Sequence, residues 1–158
     1  MRKVIIILFI LCIPTTLWAT DPIIGTWKRN LEKTKYNDEL SRDDIKDIIE
    51  VYKETEGNMI EATWTSTRKD GSTGFVKKIF PKEGGVAKYI DWEMPENILV
   101  TVIPVGSGDW YISTIMNGRK VQLRHIMVSD DGKTLIETIK GTNQEGKSVD
   151  IRVVSDRQ

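Results

Sequence analysis

The 158-residue chain carries 23 basic and 23 acidic residues, one histidine and one cysteine, with charges of both signs scattered along it. Such a balance excludes a basic nucleic-acid-binding stripe and an acidic disordered tail. A lone cysteine excludes an internal disulfide framework, and a lone histidine excludes a multi-histidine metal site.

The first residues read as a targeting segment. Arg2 and Lys3 precede an uncharged, almost wholly aliphatic run from Val4 to Ile13, and Pro14 and Leu17-Trp18-Ala19 follow. This is the three-part layout of a secretory signal with a small residue at the cleavage point. The apolar run is about half of the roughly twenty residues that cross a bilayer, so a permanent anchor is the lesser reading. Ile10 and Leu11 are too bulky to precede a lipidated Cys12. Cleavage after Ala19 leaves a signal peptide, 1–19, and one domain, 20–158, of 139 residues with no thiol and no membrane span. Without Arg2 and Lys3, 21 basic residues face 23 acidic ones. The destination implied is the periplasm or the medium. A domain of this size buries roughly two-thirds of its unfolded surface, enough for one core.

Beyond Ala19 the chain is punctuated by turn signals at Gly57-Asn58, Asp70-Gly71, Asn117-Gly118, Asp131-Gly132 and Glu145-Gly146. Asn-Gly and Asp-Gly between runs of β-branched and aromatic residues mark hairpins, because both residues tolerate the positive φ of a tight turn. The strands predicted in order are 25–32, 47–55, 59–67, 74–80, 86–91, 97–104, 109–116, 120–128, 134–142 and 147–154. Between the first two, Ile45, Ile48, Ile49 and Tyr52 have helical spacing behind Ser41 and Asp44, which predicts a short helix or turn over 41–47. Alternation places Ile60, Ala62 and Trp64 on one face, and Trp110, Ile112, Thr114 and Met116 on one face. It likewise groups Val121, Leu123, His125 and Met127 with Arg124 opposed, and Val149, Ile151 and Val153 with Asp150 and Arg152 opposed. A flat sheet of ten sequential strands would accumulate twist and expose two edges. The fold class expected is therefore all-β, a single antiparallel up-and-down barrel of about 8–10 strands.

Few residues could carry chemistry. No nucleophile elbow, His-Glu-x-x-His or phosphate loop is present. His125 has two readings: a haem ligand or ligand-contacting donor inside a barrel, or a core histidine satisfied by a neighbour. Glu137, between Leu135 and Ile139, is either an interior carboxylate that needs a partner or a solvated one. Trp27, Trp64, Trp92 and Trp110 remain after Ala19, and aromatic residues of this kind line apolar cavities or fill cores.

Gly25-Thr26-Trp27 at the first strand resembles the Gly-x-Trp motif that opens lipocalin-like barrels. The longer stretch to Tyr36, and the closing hairpins Val128–Leu135 and Lys140–Lys147, are similar to small exported bacterial lipocalin-like (calycin-type) proteins, most of them uncharacterised. The resemblance implies that Gly25 and Trp27 form a structural plug at the closed end. It also implies an Arg from a late strand over the Trp27 ring, for which Arg152 is the candidate. The chain departs from the pattern in lacking the disulfides of the classical secreted members, and in its charged stretch 37–47.

The function expected is a non-enzymatic exported binding protein holding a small apolar or amphipathic ligand, with Trp64, Trp110, His125 and Glu137 as candidate contacts. The alternatives are an envelope interaction module with a filled barrel, and a haem-binding or enzymatic barrel built on His125. No cofactor or metal is expected, and haem is the least favoured addition.

Overall fold

The computed structural model describes residues 20–37, 44–90, 93–142 and 146–158. Strands β1 (Gly25–Arg29), β2 (Ile45–Thr55), β3 (Met59–Arg68), β4 (Thr73–Pro81), β5 (Gly85–Val86) and β6 (Lys88–Tyr89) form the first half. Strands β7 (Ile98–Gly106), β8 (Asp109–Met116), β9 (Arg119–Val128), β10 (Thr134–Thr142) and β11 (Ser148–Arg157) form the second. Every strand pair is antiparallel, in the order β5-β7-β8-β9-β10-β11-β1-β2-β3-β4-β6. The two ends of that order are one stretch of chain. Gly85 and Val86 pair with β7, and Lys88 and Tyr89 pair with β4. Ala87 between them donates to the Val100 carbonyl, and Ile90 donates to that of Lys77. A single short segment thus bridges both edges and nearly closes the barrel, which removes the open edges that would template aggregation.

The expected strands are present, with the 86–91 strand divided into β5 and β6. No helix occurs among the described residues, so the expectation over 41–47 is corrected where it can be read: Asp44 is a turn and Ile45 begins β2. Residues 41–43 lie outside the described residues, as does Trp92. The helical spacing has a β explanation. The β2–β3 register shifts between Ile45 and Asp47. One extra residue inverts the alternation, so Ile45 and Ile48 are both buried although an odd number of positions apart.

The hairpin β8–β9 turns at Asn117-Gly118, both with positive φ, as a two-residue turn between right-twisted strands requires. Its register also shifts, with Ile115 opposite Lys120 but Thr114 opposite Gln122. Val121 is the extra residue, and beyond it the phase of β9 is inverted. Trp110 therefore faces Ile126 and Ile112 faces Arg124. This corrects the facing of β9: Gln122, Arg124, Ile126 and Val128 turn inward, and Leu123, His125 and Met127 turn outward.

One end of the barrel is filled. Trp27, Trp110, Phe80, Ile60, Ile126 and Leu135 are all buried to within 1 % exposure and pack as one cluster. Trp27 donates its indole N–H to the Ile23 carbonyl (2.8 Å). The Arg157 guanidinium carbon lies 4.1 Å from the Trp27 ring centroid. The same guanidinium donates to the carbonyls of Pro22, Ile24 and Gly132, tying the incoming chain to the β9–β10 turn. Arg157 rather than Arg152 is thus the cap of Trp27. Side chains of Val149, Ile151, Val153, Ser155 and Arg157 share the inner face, whereas Arg152 is one position out of phase and exposed. Gly25 has φ +146° and a Cβ there would lie 2.5 Å from Arg157 Nη1, so the glycine clears the space that Arg157 occupies. Arg157→Ala is expected to cost about 2 kcal/mol, from three lost backbone hydrogen bonds and the ring contact, and Arg152→Ala less than about 0.5 kcal/mol. Urea denaturation of the two variants checks this.

Candidate functional site

Above the filled end the barrel contains a cavity of about 420 Å³. Its wall is mixed: Ile48, Val76, Ile112, Ile139, Ile151 and Val153 reach it, and so do Tyr36, Ser66, Thr114 and Gln122. Between this wall and the filled end lies a belt of charge. Arg29 ends β1, Glu50 is on β2, Lys78 on β4, Arg124 on β9 and Glu137 on β10. Each falls on the inner face of its strand by alternation: Arg29 follows Trp27, Glu50 lies between Ile48 and Tyr52, Lys78 lies between Val76 and Phe80, and Glu137 lies between Leu135 and Ile139.

Glu50 and Glu137 are fully buried. Arg29 Nη2 donates to Glu50 Oε1 at 2.8 Å and stands 3.9 Å from Glu137 Oε1. Arg124 Nη1 stands 3.2 Å from Glu137 Oε2. Glu50 thus has a hydrogen-bonded guanidinium, whereas both Glu137 oxygens are buried without a hydrogen bond among the described residues and are offset by the nearby charges of Arg124 and Arg29. Burial, with Glu137 next, pushes the Glu50 carboxyl up to about 7, against the opposing pull of Arg29 and Arg124. Burial works against the Arg29 charge, but Glu50 and Glu137 outweigh it and its pKa is raised. Burial also raises the Tyr52 phenol, whose hydroxyl lies 3.5 Å from Glu50 Oε2.

Lys78 differs from the other cations. It is 3 % exposed and has no carboxylate within 4 Å among the described residues. Its ammonium instead lies 4.5 Å from the Trp64 ring centroid and 5.6 Å from that of Phe80. Burial and then Arg124 lower its pKa to about 7.

The candidates from sequence separate. Trp64 lines the cavity, edge-on to Tyr52 with ring centroids 5.9 Å apart. Glu137 is the interior carboxylate of the two readings above. Trp110 lies in the filled end against Phe80, 5.8 Å between centroids, and does not reach the cavity wall. His125 is on the outer surface, stacked on Tyr111 at 4.4 Å and 2.6 Å from Asp109 Oδ1. Its side chain is about one-third exposed and has no access to the lumen from there. Sequence reasoning does not single out Arg29, Glu50, Lys78 or Arg124. For Arg124 a signal exists in the pairing: Ile112, on the inner face of β8, sits opposite it once the bulge at Val121 is counted.

No protein-family model matches the chain, and no curated protein sequence does. Solved structures do. The structure of zebrafish ileal bile acid-binding protein in complex with cholic acid aligns over 87 % of this chain and 99 % of its own, at 15 % identity and TM-score 0.50. A point mutant of the fluorescent protein UnaG aligns over 87 % and 96 %, at 16 % identity and TM-score 0.55. Wild-type UnaG aligns over 85 % and 96 %, at 16 % identity and TM-score 0.53. At such identities the likeness concerns architecture, and it agrees with the all-antiparallel strand order: the chain has a lipocalin-like, calycin-type β-barrel fold.

Proposed function

We propose that the chain is an exported, non-enzymatic binding protein that holds one small amphipathic molecule in the barrel cavity. The observation that carries this is the cavity itself, about 420 Å³ above a filled end, lined by aliphatic and polar side chains together with Arg29, Lys78 and Arg124. That volume lies within the roughly 300–1,000 Å³ of small-molecule sites, which combine an apolar lining with a few placed polar groups. The zebrafish protein of the same architecture was crystallised with cholic acid, an amphipathic molecule, which supports the reading. Export rests on the layout of residues 1–19.

Trp64 supplies the assay. Titrating purified residues 20–158 with fatty acids and neutral apolar probes is expected to give saturable one-to-one changes in tryptophan emission. Trp64→Phe is expected to remove most of that signal, and Trp110→Phe little of it. Absence of saturable binding across the panel would overturn the proposal.

A further inference from the structure

The charges around the cavity do not cancel. The carboxylates of Glu50 and Glu137 are matched by the guanidinia of Arg29 and Arg124 at 2.8 and 3.2 Å. Lys78 remains as a third cation, buried against the faces of Trp64 and Phe80, with no carboxylate of its own among the described residues. A buried ammonium is costly without an opposing charge, and ring faces offset only part of that cost. The cost is removed if the missing charge arrives with the ligand. We propose that the molecule held in the cavity is an organic monoanion, its charged group seated on Lys78 and its apolar body against the aliphatic part of the wall.

Three features of the site agree. Lys78 and Arg124 both line the cavity, so one anionic group there can lie near two cations. About a quarter of the Arg124 side chain is exposed although Glu137 Oε2 stands 3.2 Å from its Nη1. Ile48, Val76, Ile112 and Ile139 line the same cavity as these cations, with Ile112 and Ile139 opposite Arg124, which gives an apolar body attached to the anion a surface to pack on, beside the polar Ser66, Thr114 and Gln122.

This inference rests on the binding function proposed above, and the test separates the two. 1-Anilinonaphthalene-8-sulfonate and neutral N-phenyl-1-naphthylamine share an aromatic body and differ by one anionic group. Residues 20–158 are expected to bind the sulfonate at least about tenfold more tightly. Lys78→Met, which keeps the length of the chain without its charge, is expected to lose about tenfold or more for the sulfonate and to leave the neutral probe unchanged. Retained binding of the neutral probe shows that the variant is folded, and Lys78→Arg is expected to keep the preference for the sulfonate. Equal affinity of the two probes, or an equal effect of Lys78→Met on both, overturns the monoanion proposal while the cavity remains a binding site. Failure of both probes to bind the unmodified protein overturns the binding function itself.

Discussion

Arg29→Ala is expected to destabilise the barrel by about 4 kcal/mol, the cost of removing one partner from a buried ion pair. Arg29 is the hub of the interior charge belt: its guanidinium holds Glu50 at 2.8 Å and also faces Glu137 at 3.9 Å. Truncation leaves a fully buried Glu50 with the Tyr52 hydroxyl at 3.5 Å and the longer-range attraction of Arg124. For a domain of this size such a loss lowers Tm by on the order of 10–20 °C. The defect should depend on pH. The Glu50 carboxyl is pushed up to about 7 with Arg29 in place and rises further without it, so in the variant it stays largely neutral, and the ionised pair that is lost is worth about 1.4 kcal/mol per pH unit above 7. The variant is thus expected to lie about 1.4 kcal/mol closer to the unmodified protein at pH 5 than at pH 8. Arg29→Met combined with Glu50→Gln removes both charges and should recover all but about 1–2 kcal/mol, because the penalty comes from an unpaired charge and not from lost volume. Thermal denaturation at the two pH values decides. A loss below about 1 kcal/mol at pH 8, typical of solvated ion pairs, would show that the belt is not buried as described.

The second large effect is an unusual dependence of stability on pH. The Glu50 carboxyl is raised from 4.5 to about 7, chiefly by burial and then by Glu137. A group with a raised folded pKa contributes stability that is complete below its unfolded value and is lost as pH rises through the folded one. Glu50 therefore makes stability fall between about pH 4.5 and 7. Lys78 is lowered from 10.5 to about 7, by burial and then by Arg124, against the pull of Glu137 and Glu50. A lowered pKa contributes stability present above the unfolded value and lost as pH falls through the folded one. Lys78 therefore makes stability rise between about pH 7 and 10.5. Together the two groups predict a minimum near neutrality, with each limb on the order of a few kcal/mol, where most proteins are near their maximum. Glu50→Gln is expected to flatten the acid limb, and Lys78→Met the alkaline limb. Urea midpoints from pH 5 to 10 show whether the minimum exists. A single maximum between pH 6 and 8 in the unmodified protein would contradict the burial of both groups.

Much of the fold is legible in the sequence because it is written in local chemistry. Positive-φ residues at turns such as Asn117-Gly118 mark where hairpins reverse, and alternation along β3, β8 and β11 identifies inward residues correctly. What resists is phase. Bulges at Ile45/Asp47 and at Val121 each insert one residue, and one residue exchanges the inner and outer faces of the rest of the strand. That is why His125 reads as interior and Arg124 as exterior, and why Ile45 and Ile48 imitate a helix. Arg152 misses the Trp27 ring by one step of the same alternation, since the inward series on β11 continues past Val153 to Arg157. The charge belt is hidden for a different reason. Glu50 and Lys78 stand among other charged residues, such as Lys53 and Lys77, that face outward. Only the closure of the barrel gathers Arg29, Glu50, Glu137, Arg124 and Lys78 from five separate strands, with Arg29, Lys78 and Arg124 lining the cavity.

A binding function of this kind requires the ligand to reside in the lumen. A crystal structure of residues 20–158 grown with a brominated fatty acid tests this directly, because the anomalous signal of bromine fixes the ligand's position. The expected peak lies within the barrel among Val76, Ile112 and Ile139, with the carboxylate toward Lys78. A fully occupied bromine on the outer wall beside His125 and Tyr111, with no anomalous signal in the lumen, would contradict it.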